Sequence, residues 1–244
     1  DIEGVNKDTN SIIAIDMLDR NKTLNQNMVV IGTSGVGKTT YMIQKILRYA
    51  IQDYQIYMID PEDEYTKMVE LLGGAVLHIT SNAKSKINPM QIFSEEILSA
   101  DETVTNLDEL VKDKIQRLKG FFEVLKDDMS QVEKAIMDNV VKQAYINSGI
   151  LKYERLSQIK NDQWPTLTNV YDEMAKLAEK DPDKFERVKD FYYILGSYTH
   201  GSNTLFDGYT NVNLNAKIVS FDLKPLQSEQ EVQAGAYLTT FQYL

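Results

Sequence analysis

The chain has 244 residues and a formal charge of −10, because 26 lysines and arginines face 36 aspartates and glutamates. This length suits one large domain, or a core with one sizeable insertion. The absence of cysteine excludes disulfides, zinc-thiolate sites, iron–sulfur clusters and cysteine nucleophiles, and the acidic charge disfavours nucleic acid except at a local basic patch or a pore built by several subunits.

Residues 1–93 alternate short apolar segments with helical patterns. The predicted strands are Ile12–Asp16, Met28–Ile31, Ile56–Ile59 and Ala75–Ile79. The apolar spacing predicts a long helix over Lys38–Gln52 and a short helix over Glu64–Leu72, which two glycines end. Because helices separate these strands, we expect parallel pairing through right-handed crossovers, and hence an α/β sheet.

A glycine-rich loop lies between the strand predicted at Met28–Ile31 and the long helix. Its sequence, GTSGVGKT over residues 32–39, fits G-x-x-x-x-G-K-[ST] without a mismatch. Such a loop lets successive backbone N–H groups converge on phosphates, and the following helix points its positive end at them. The alternative is a chance glycine-rich turn, which the flanking apolar strand and amphipathic helix disfavour. The predicted nucleotide-binding residues are Gly32, Thr33, Ser34, Gly35, Val36, Gly37, Lys38, Thr39 and Thr40.

Three side chains of this segment have predicted roles in the chemistry. Lys38 reaches the β- and γ-phosphates as a mobile positive charge. The hydroxyl of Thr39 ligates Mg²⁺, as the last residue of this motif does. Thr40, one step into the helix, contacts the α-phosphate.

An acidic cluster follows the strand predicted at Ile56–Ile59, in the sequence DPEDEY over residues 60–65. Carboxylates at the C-terminal end of a strand beside the loop strand face the ligand site of an α/β sheet. We predict that one of Asp60, Glu62 and Glu64 polarises the attacking water as general base, and that Asp60 holds a water on Mg²⁺. The alternative is that these residues only cap the helix Glu64–Leu72 and interact with its dipole.

Residues 94–203 show helical spacing without a convincing strand, which predicts an all-α insertion. Ser130 and Glu133 form a capping-box signature, and Asp181 with Pro182 predicts an N-cap followed by proline at the first helical position. Residues 204–244 then return to the α/β core, with a strand over Ala216–Asp222 and a helix over Glu229–Leu244.

Several segments together resemble the C-terminal ATPase domain of conjugative type IV secretion systems, of the VirB/TraC/TrbE type and related to the HerA/FtsK translocases. They are GTSGVGKTT before a helix, YMIDPEDEY, LGGAVLHI with INPMQIF, and NVNLNAKIVSFDL before a helix ending YLTTFQYL. The phosphate loop is common to the whole superfamily, whereas the DPEDEY and INP segments are more specific to this family. The position of Glu62, two residues beyond Asp60, matches that of the general base in RecA-like ATPases. Glu62 is therefore slightly preferred as the base among the three carboxylates.

The resemblance implies a RecA-like P-loop NTPase core with a mainly parallel sheet and an all-α insertion. It also implies hydrolysis of ATP with Mg²⁺, a hexamer or lower oligomer, and docking at membrane-embedded channel components from the cytoplasmic face. No apolar run approaches the roughly 20 residues that span a bilayer.

One departure from the family concerns the end of the sequence. The family's Walker B strand, with its acidic pair, follows the helix on which this sequence stops, so we expect residues 204–244 to be an incomplete part of the core. The sequence of Ile218–Asp222 resembles a Walker B strand, but residue 223 is leucine where a glutamate is expected. We therefore interpret Asp222 as a structural strand end, with a role at Mg²⁺ as the alternative, and expect poor hydrolysis by the fragment alone.

Three functions remain open at this stage. The first is an ATP-driven motor for a conjugative secretion channel, which exports protein or DNA or assembles the pilus or channel. The second is a DNA-translocating ATPase of the HerA/FtsK or coupling-protein kind, which the acidic charge disfavours. The third is a docking module whose bound nucleotide fixes the oligomeric state with little turnover.

Overall fold

A computed structural model describes residues 2–16, 19, 21, 25–80, 86–93, 106–211 and 216–243. The start of the predicted insertion, residues 94–105, and Leu244 lie outside these residues. The chain divides into two compact units, residues 1–44 and 45–244, and the division falls within a helix.

The first unit contains an antiparallel hairpin. Strand β1 (Ile2–Val5) pairs with β2 (Ile12–Ala14), and Val5 lies opposite Ile12. The side chain of Asn6 accepts hydrogen bonds from the backbone N–H groups of Asp8 and Thr9 and so shapes the turn. A strand at the predicted Ile12–Asp16 is thus confirmed, but its parallel pairing is wrong. Six residues separate β1 from β2, too few for the crossover that parallel strands require.

The strand predicted at Met28–Ile31 is wrong, because residues 28–31 have no regular secondary structure. Val29 is 80% exposed and Ile31 is 89% exposed. A β-strand is defined by its hydrogen bonds to a neighbour, and an apolar sequence alone does not supply them.

The second unit contains a parallel three-stranded sheet. Strands β3 (Ile56–Asp60), β4 (Ala75–His78) and β5 (Ile218–Asp222) lie in the order β3–β5–β4, and the parallel α/β sheet is confirmed. The central strand β5 is buried along its whole length. Alternate residues face opposite sides, since Ile218 packs in a cluster with Ile46, while Val219 and Phe221 join a second, larger cluster.

Seven α-helices are present in the described ranges. They are α1 (Lys38–Ile51), α2 (Thr66–Leu71), α3 (Leu107–Leu125), α4 (Gln131–Ser148), α5 (Leu167–Lys180), α6 (Pro182–Thr199) and α7 (Gln230–Tyr243). The predicted helices over Lys38–Gln52, Glu64–Leu72 and Glu229–Leu244 correspond to α1, α2 and α7. None of these helices is both long and apolar enough to cross a membrane.

Local capping signals start two of the insertion helices as predicted. At α4, the Ser130 hydroxyl accepts the N–H of Glu133 at 3.3 Å, and the Glu133 carboxylate accepts the N–H of Ser130 at 2.7 Å. At α6, the Asp181 carboxylate accepts the N–H of Lys184 at 3.2 Å, and Pro182 occupies the first turn. The capping box and the proline start are therefore confirmed.

The helices α3–α6 share one hydrophobic core with the sheet. The rings of Phe121 on α3 and Phe206 pack edge to face at 5.2 Å. Gly235 on α7 lies so close that an added Cβ would be 3.2 Å from the ring of Phe206 and 3.4 Å from that of Phe121. The all-α segment is therefore continuous in packing with the α/β segment within the second unit.

Candidate nucleotide site

The backbone of the phosphate loop, residues 32–39, adopts conformations that require glycine. Gly35 and Gly37 have φ angles of +77° and +98°, in the region where a side chain is strained. At Gly32, an added Cβ would lie 2.7 Å from Cγ1 of Val36. A side chain would therefore be strained or would clash at each of the three glycines of the loop. The loop turns tightly into α1, which begins at Lys38.

The ammonium group of Lys38 is held by the start of its own loop. Its Nζ donates to the carbonyl oxygen of Gly32 at 3.0 Å and to that of Thr33 at 2.9 Å. An ammonium carries three N–H donors, so these carbonyls use two of them. The loop backbone therefore fixes the position of the charge and leaves one donor that neither carbonyl uses.

The N-terminus of α1 has the electrostatics of an anion site. The first turn of an α-helix presents N–H groups without intrahelical acceptors, at the positive end of the helix dipole. The first turn of α1 contains no acidic residue, and residues 31–37 ahead of it are exposed. This geometry fits a polyphosphate, with the half-buried Thr39 in the helical position from which its hydroxyl would ligate Mg²⁺.

Two side chains that the sequence did not single out support the loop helix. The hydroxyl of Tyr41 donates to the carboxylate of Glu3 at 2.6 Å and lies 3.7 Å from Sδ of Met28. These contacts tie the first turn of α1 to β1 and to the segment before the loop. No sequence signal could have found the pair, because 38 residues separate Tyr41 from Glu3.

The acidic cluster, residues 60–64, divides into one buried and several exposed carboxylates. Asp60 ends β3 and is 1% exposed. Its two oxygens accept the backbone N–H groups of Glu64 at 3.0 Å and Tyr65 at 2.9 Å, so Asp60 closes the turn that leads into α2. Glu62 and Glu64 are exposed. The catalytic roles of Asp60, Glu62 and Glu64 stay predictions, and Asp60 has in addition a structural role close to the capping alternative.

Two tyrosines near these carboxylates have raised pKa values. Burial raises the pKa of Tyr65, and the charges of Glu64 and Asp60 raise it further. Burial also raises the pKa of Tyr237 on α7, with a further contribution from the charge of Glu62. No pattern in the sequence indicates that α7 lies beside the acidic cluster.

The carboxyl edge of the sheet aligns three polar side chains in neighbouring strands. Asp222 lies opposite both Asp60 on β3 and His78 on β4. One oxygen of the Asp222 carboxylate is 2.7 Å from Nδ1 of His78, and the other accepts the N–H of Lys224 at 3.0 Å. Both oxygens are thus engaged within the protein, as the interpretation of Asp222 as a structural strand end requires.

A phosphate loop of this geometry at a helix start, in a chain with a parallel sheet, defines a P-loop nucleotide-binding domain. The family model of the TraG P-loop domain matches residues 5–234, and the chain belongs to this family. No curated protein matched the chain.

Among solved structures, the chain is similar to VirB4 of Thermoanaerobacter pseudethanolicus. The two share 26% sequence identity with a TM-score of 0.83, over 99% of this chain and 62% of that one. The chain therefore spans less than two thirds of the length of that protein. These findings confirm the resemblance to the conjugative secretion ATPases and the α/β fold with a mainly parallel sheet.

Proposed function

We propose that the chain is an ATP-binding and hydrolysing motor domain that energises a conjugative type IV secretion channel. The observation that carries this function is the phosphate loop, in which Gly35 and Gly37 adopt left-handed φ angles and Lys38 is fastened to the carbonyls of Gly32 and Thr33. Membership of the TraG P-loop family and the similarity to VirB4 support the secretion context.

In this function the loop binds the triphosphate of ATP. Backbone N–H groups of residues 32–40 surround the β- and γ-phosphates, and Lys38 gives its remaining N–H to a γ-phosphate oxygen. Thr39 holds Mg²⁺, which when bound neutralises charge that develops on the transferred phosphoryl group. The lysine charge needs little reorganisation, because the loop carbonyls hold it in place.

We propose that the general base is one of the three carboxylates at or just after the end of β3. Both oxygens of Asp60 accept backbone hydrogen bonds and the residue is 1% exposed, which leaves it little access to water. Glu62 and Glu64 are exposed and can accept a proton from an attacking water. The structure of the turn therefore favours Glu62 or Glu64 as base, and Asp60 as the residue that positions them.

The partners and the location follow from the same proposal. The intact protein docks as a hexamer or lower oligomer on membrane-embedded channel components at the cytoplasmic face of the cell membrane, and the exported substrate is DNA or protein. The similarity to VirB4 and membership of the TraG P-loop family support this assignment. In this assembly a neighbouring subunit completes the hydrolytic site.

The test is a nucleotide titration of Lys38→Ala against Lys7→Ala, which removes an equally charged, exposed side chain from the turn between β1 and β2. Loss of a charge-assisted hydrogen bond costs about 1.5–3 kcal/mol, so the affinity for a fluorescent ATP analogue should fall about 10- to 150-fold in Lys38→Ala only. Equal affinities of the two variants, with unchanged circular dichroism, would refute the site.

A second arm of this experiment measures phosphate release by the full-length protein. Glu62→Gln or Glu64→Gln should retain ATP binding and lose about 10²- to 10⁴-fold in turnover, as expected for removal of a general base. If neither variant changes the rate, the acidic cluster is not the source of the base. Tight ATP binding without turnover by any full-length form would favour the docking-module function instead.

A further inference from the structure

A polar cleft on the helical segment has no part in the proposed nucleotide chemistry. The end of α4, residues 162–165, one face of α5 and Tyr209 enclose a volume of about 420 Å³. This volume is in the range of about 300–1,000 Å³ that ligand-binding clefts occupy. We call it the Trp164 cleft, after the one tryptophan of the chain, which lines it.

The indole N–H of Trp164 is a hydrogen-bond donor without an acceptor. Trp164 is 3% exposed. No hydrogen bond in the described part of the chain uses its Nε1, and this atom is not fully enclosed by protein. A buried indole N–H usually finds a partner. A molecule in the cleft can therefore satisfy this donor with an acceptor of its own.

Glu173 supplies an acceptor to the same cleft. The residue is 9% exposed, and its Oε1 accepts the amide of Asn147 at 2.8 Å and the ammonium of Lys176 at 2.6 Å. Within the described ranges its Oε2 has no donor. Each carboxylate oxygen offers about two lone-pair sites. Glu173 thus keeps the capacity to accept hydrogen bonds, although Lys176 balances its charge.

The cleft is negative even when this ion pair is set aside. Asp162 and Asp172 are exposed lining residues, and neither forms an ion pair in the described part of the chain. Two carboxylates are thus left without a counter-charge, which favours a cationic ligand. Tyr209, which is 48% exposed, adds an aromatic ring on which a planar cation can stack.

We propose that the Trp164 cleft binds an arginine side chain, together with the peptide carbonyl beside it, in a segment of a partner protein. The guanidinium donates to Oε2 of Glu173 and is attracted by the carboxylates of Asp162 and Asp172. The neutral carbonyl accepts the indole N–H of Trp164. A guanidinium has five N–H donors in one plane, so it serves several carboxylates and stacks on a ring, which an ammonium group does less well.

The donors and acceptors of the cleft favour this ligand over other charged molecules. A polyamine has no acceptor for the indole N–H, because its protonated amines only donate. A free amino acid would bring its own carboxylate beside Asp162 and Asp172. No three histidine, aspartate or glutamate side chains in the described ranges are placed to share a metal ion. The phosphates of a nucleic acid would be repelled by the same carboxylates.

The experiment uses the indole fluorescence of the chain, which reports on the cleft because Trp164 is the one tryptophan. The chain, without nucleotide, is titrated with an acetylated and amidated glycine–arginine–glycine peptide, and saturable binding is expected. The same peptide with citrulline, which has a similar shape and no charge, should bind about tenfold more weakly or worse. The lysine peptide should fall between the two. An arginine peptide that does not saturate the signal, or that binds no better than the citrulline or lysine peptide, would overturn the proposal.

Variants on α5 separate the cleft from the overall negative charge of the chain. Glu173→Gln should weaken binding of the arginine peptide about tenfold. Asp172→Asn, at an exposed position where folding is not at risk, should weaken it about two- to fivefold. Glu179→Gln is the matched control, since Glu179 is exposed on the same helix and is not among the described residues that line the cleft. If both cleft variants bind the peptide as the control does, the proposal is wrong.

Calorimetry on Trp164→Phe tests the role of the indole, with circular dichroism as the check of folding. This substitution keeps an aromatic ring and removes the N–H. The unsubstituted chain should bind the arginine peptide several-fold more tightly than agmatine, a guanidinium without a peptide carbonyl, and the preference should disappear in the variant. A preference that persists would overturn the pairing of the indole with the carbonyl. Because no nucleotide is present, none of these results depends on the proposed motor function.

Discussion

Two apolar segments with similar sequences have opposite environments in this molecule. Residues 28–31, MVVI, precede the phosphate loop, and residues 218–222, IVSFD, form β5; the apolar pattern predicts a strand in both. β5 has a hydrogen-bonded neighbour on each side and is wholly buried, whereas residues 28–31 form no strand and expose Val29 and Ile31. The difference shows that pairing partners, and not apolar sequence, decide where strands form.

The comparison is tested most strongly by truncating one side chain in each segment. Phe221→Ala should reduce the free energy of unfolding by about 3–5 kcal/mol, because Phe221 is fully buried and its loss leaves a cavity. Val29→Ala should change the free energy by no more than about 0.5 kcal/mol, because Val29 is mostly exposed. Urea denaturation followed by circular dichroism measures both. Comparable losses in the two variants would mean that residues 28–31 are packed in solution.

A smaller effect is expected at the carboxyl edge of the sheet. Asp60→Ala leaves the N–H groups of Glu64 and Tyr65 without their charged acceptor, and loss of a hydrogen bond to a charged group costs about 1.5–3 kcal/mol. Glu62→Ala removes an exposed carboxylate from the same turn and serves as the control in the same denaturation experiment. If the control loses as much stability as Asp60→Ala, the stabilisation comes from overall charge rather than from the two hydrogen bonds.

The smallest loss of stability is expected at the capping box of α4, which residues close together in the sequence form. Ser130→Ala removes the cap of α4 and should cost about 1 kcal/mol. Burial raises the pKa of Glu133, but hydrogen bonds from Ser130 and from Lys126 outweigh it and hold the pKa below its usual range. This stabilisation is therefore present above the unfolded-state pKa of glutamate and is lost as the pH falls through the lower folded-state pKa.

Thermal melts at neutral and at acidic pH measure this contribution, with Ser157→Ala, an exposed serine in a short 3₁₀ turn, as the control. The loss in Ser130→Ala should be larger at neutral pH. A loss that grows as the pH falls would contradict the assigned capping box.

The parts of the fold that the sequence predicted are those with short-range causes. Helical spacing located α1 and α2, and the caps at Ser130 and Asp181 were read correctly because their donors and acceptors lie within four residues. The antiparallel pairing of β2 and the unpaired residues 28–31 were missed. Both depend on which strands meet, and that is a property of the whole chain.

The same distinction applies to the candidate site. The loop from Gly32 to Thr40 was predictable, since its glycine spacing, steric demands and lysine lie within nine residues. The contact between Tyr41 and Glu3 and the proximity of Tyr237 to Glu62 were not, because distant segments supply them. The engagement of both Asp60 oxygens by backbone N–H groups also needed the turn geometry, which the sequence DPEDEY does not specify.

The missing side chain at Gly235 has a mechanical consequence. Because the rings of Phe206 and Phe121 rest against bare backbone there, α7 and α3 approach more closely than an alanine would allow without a shift of the rings. In a Gly235→Ala variant the new Cβ would lie 3.2 Å from the ring of Phe206 and 3.4 Å from that of Phe121, so at least one ring would have to move away. The spacing between α7 and the aromatic rings packed against it is therefore set by the absence of a side chain at one position, and any larger residue there would widen this contact.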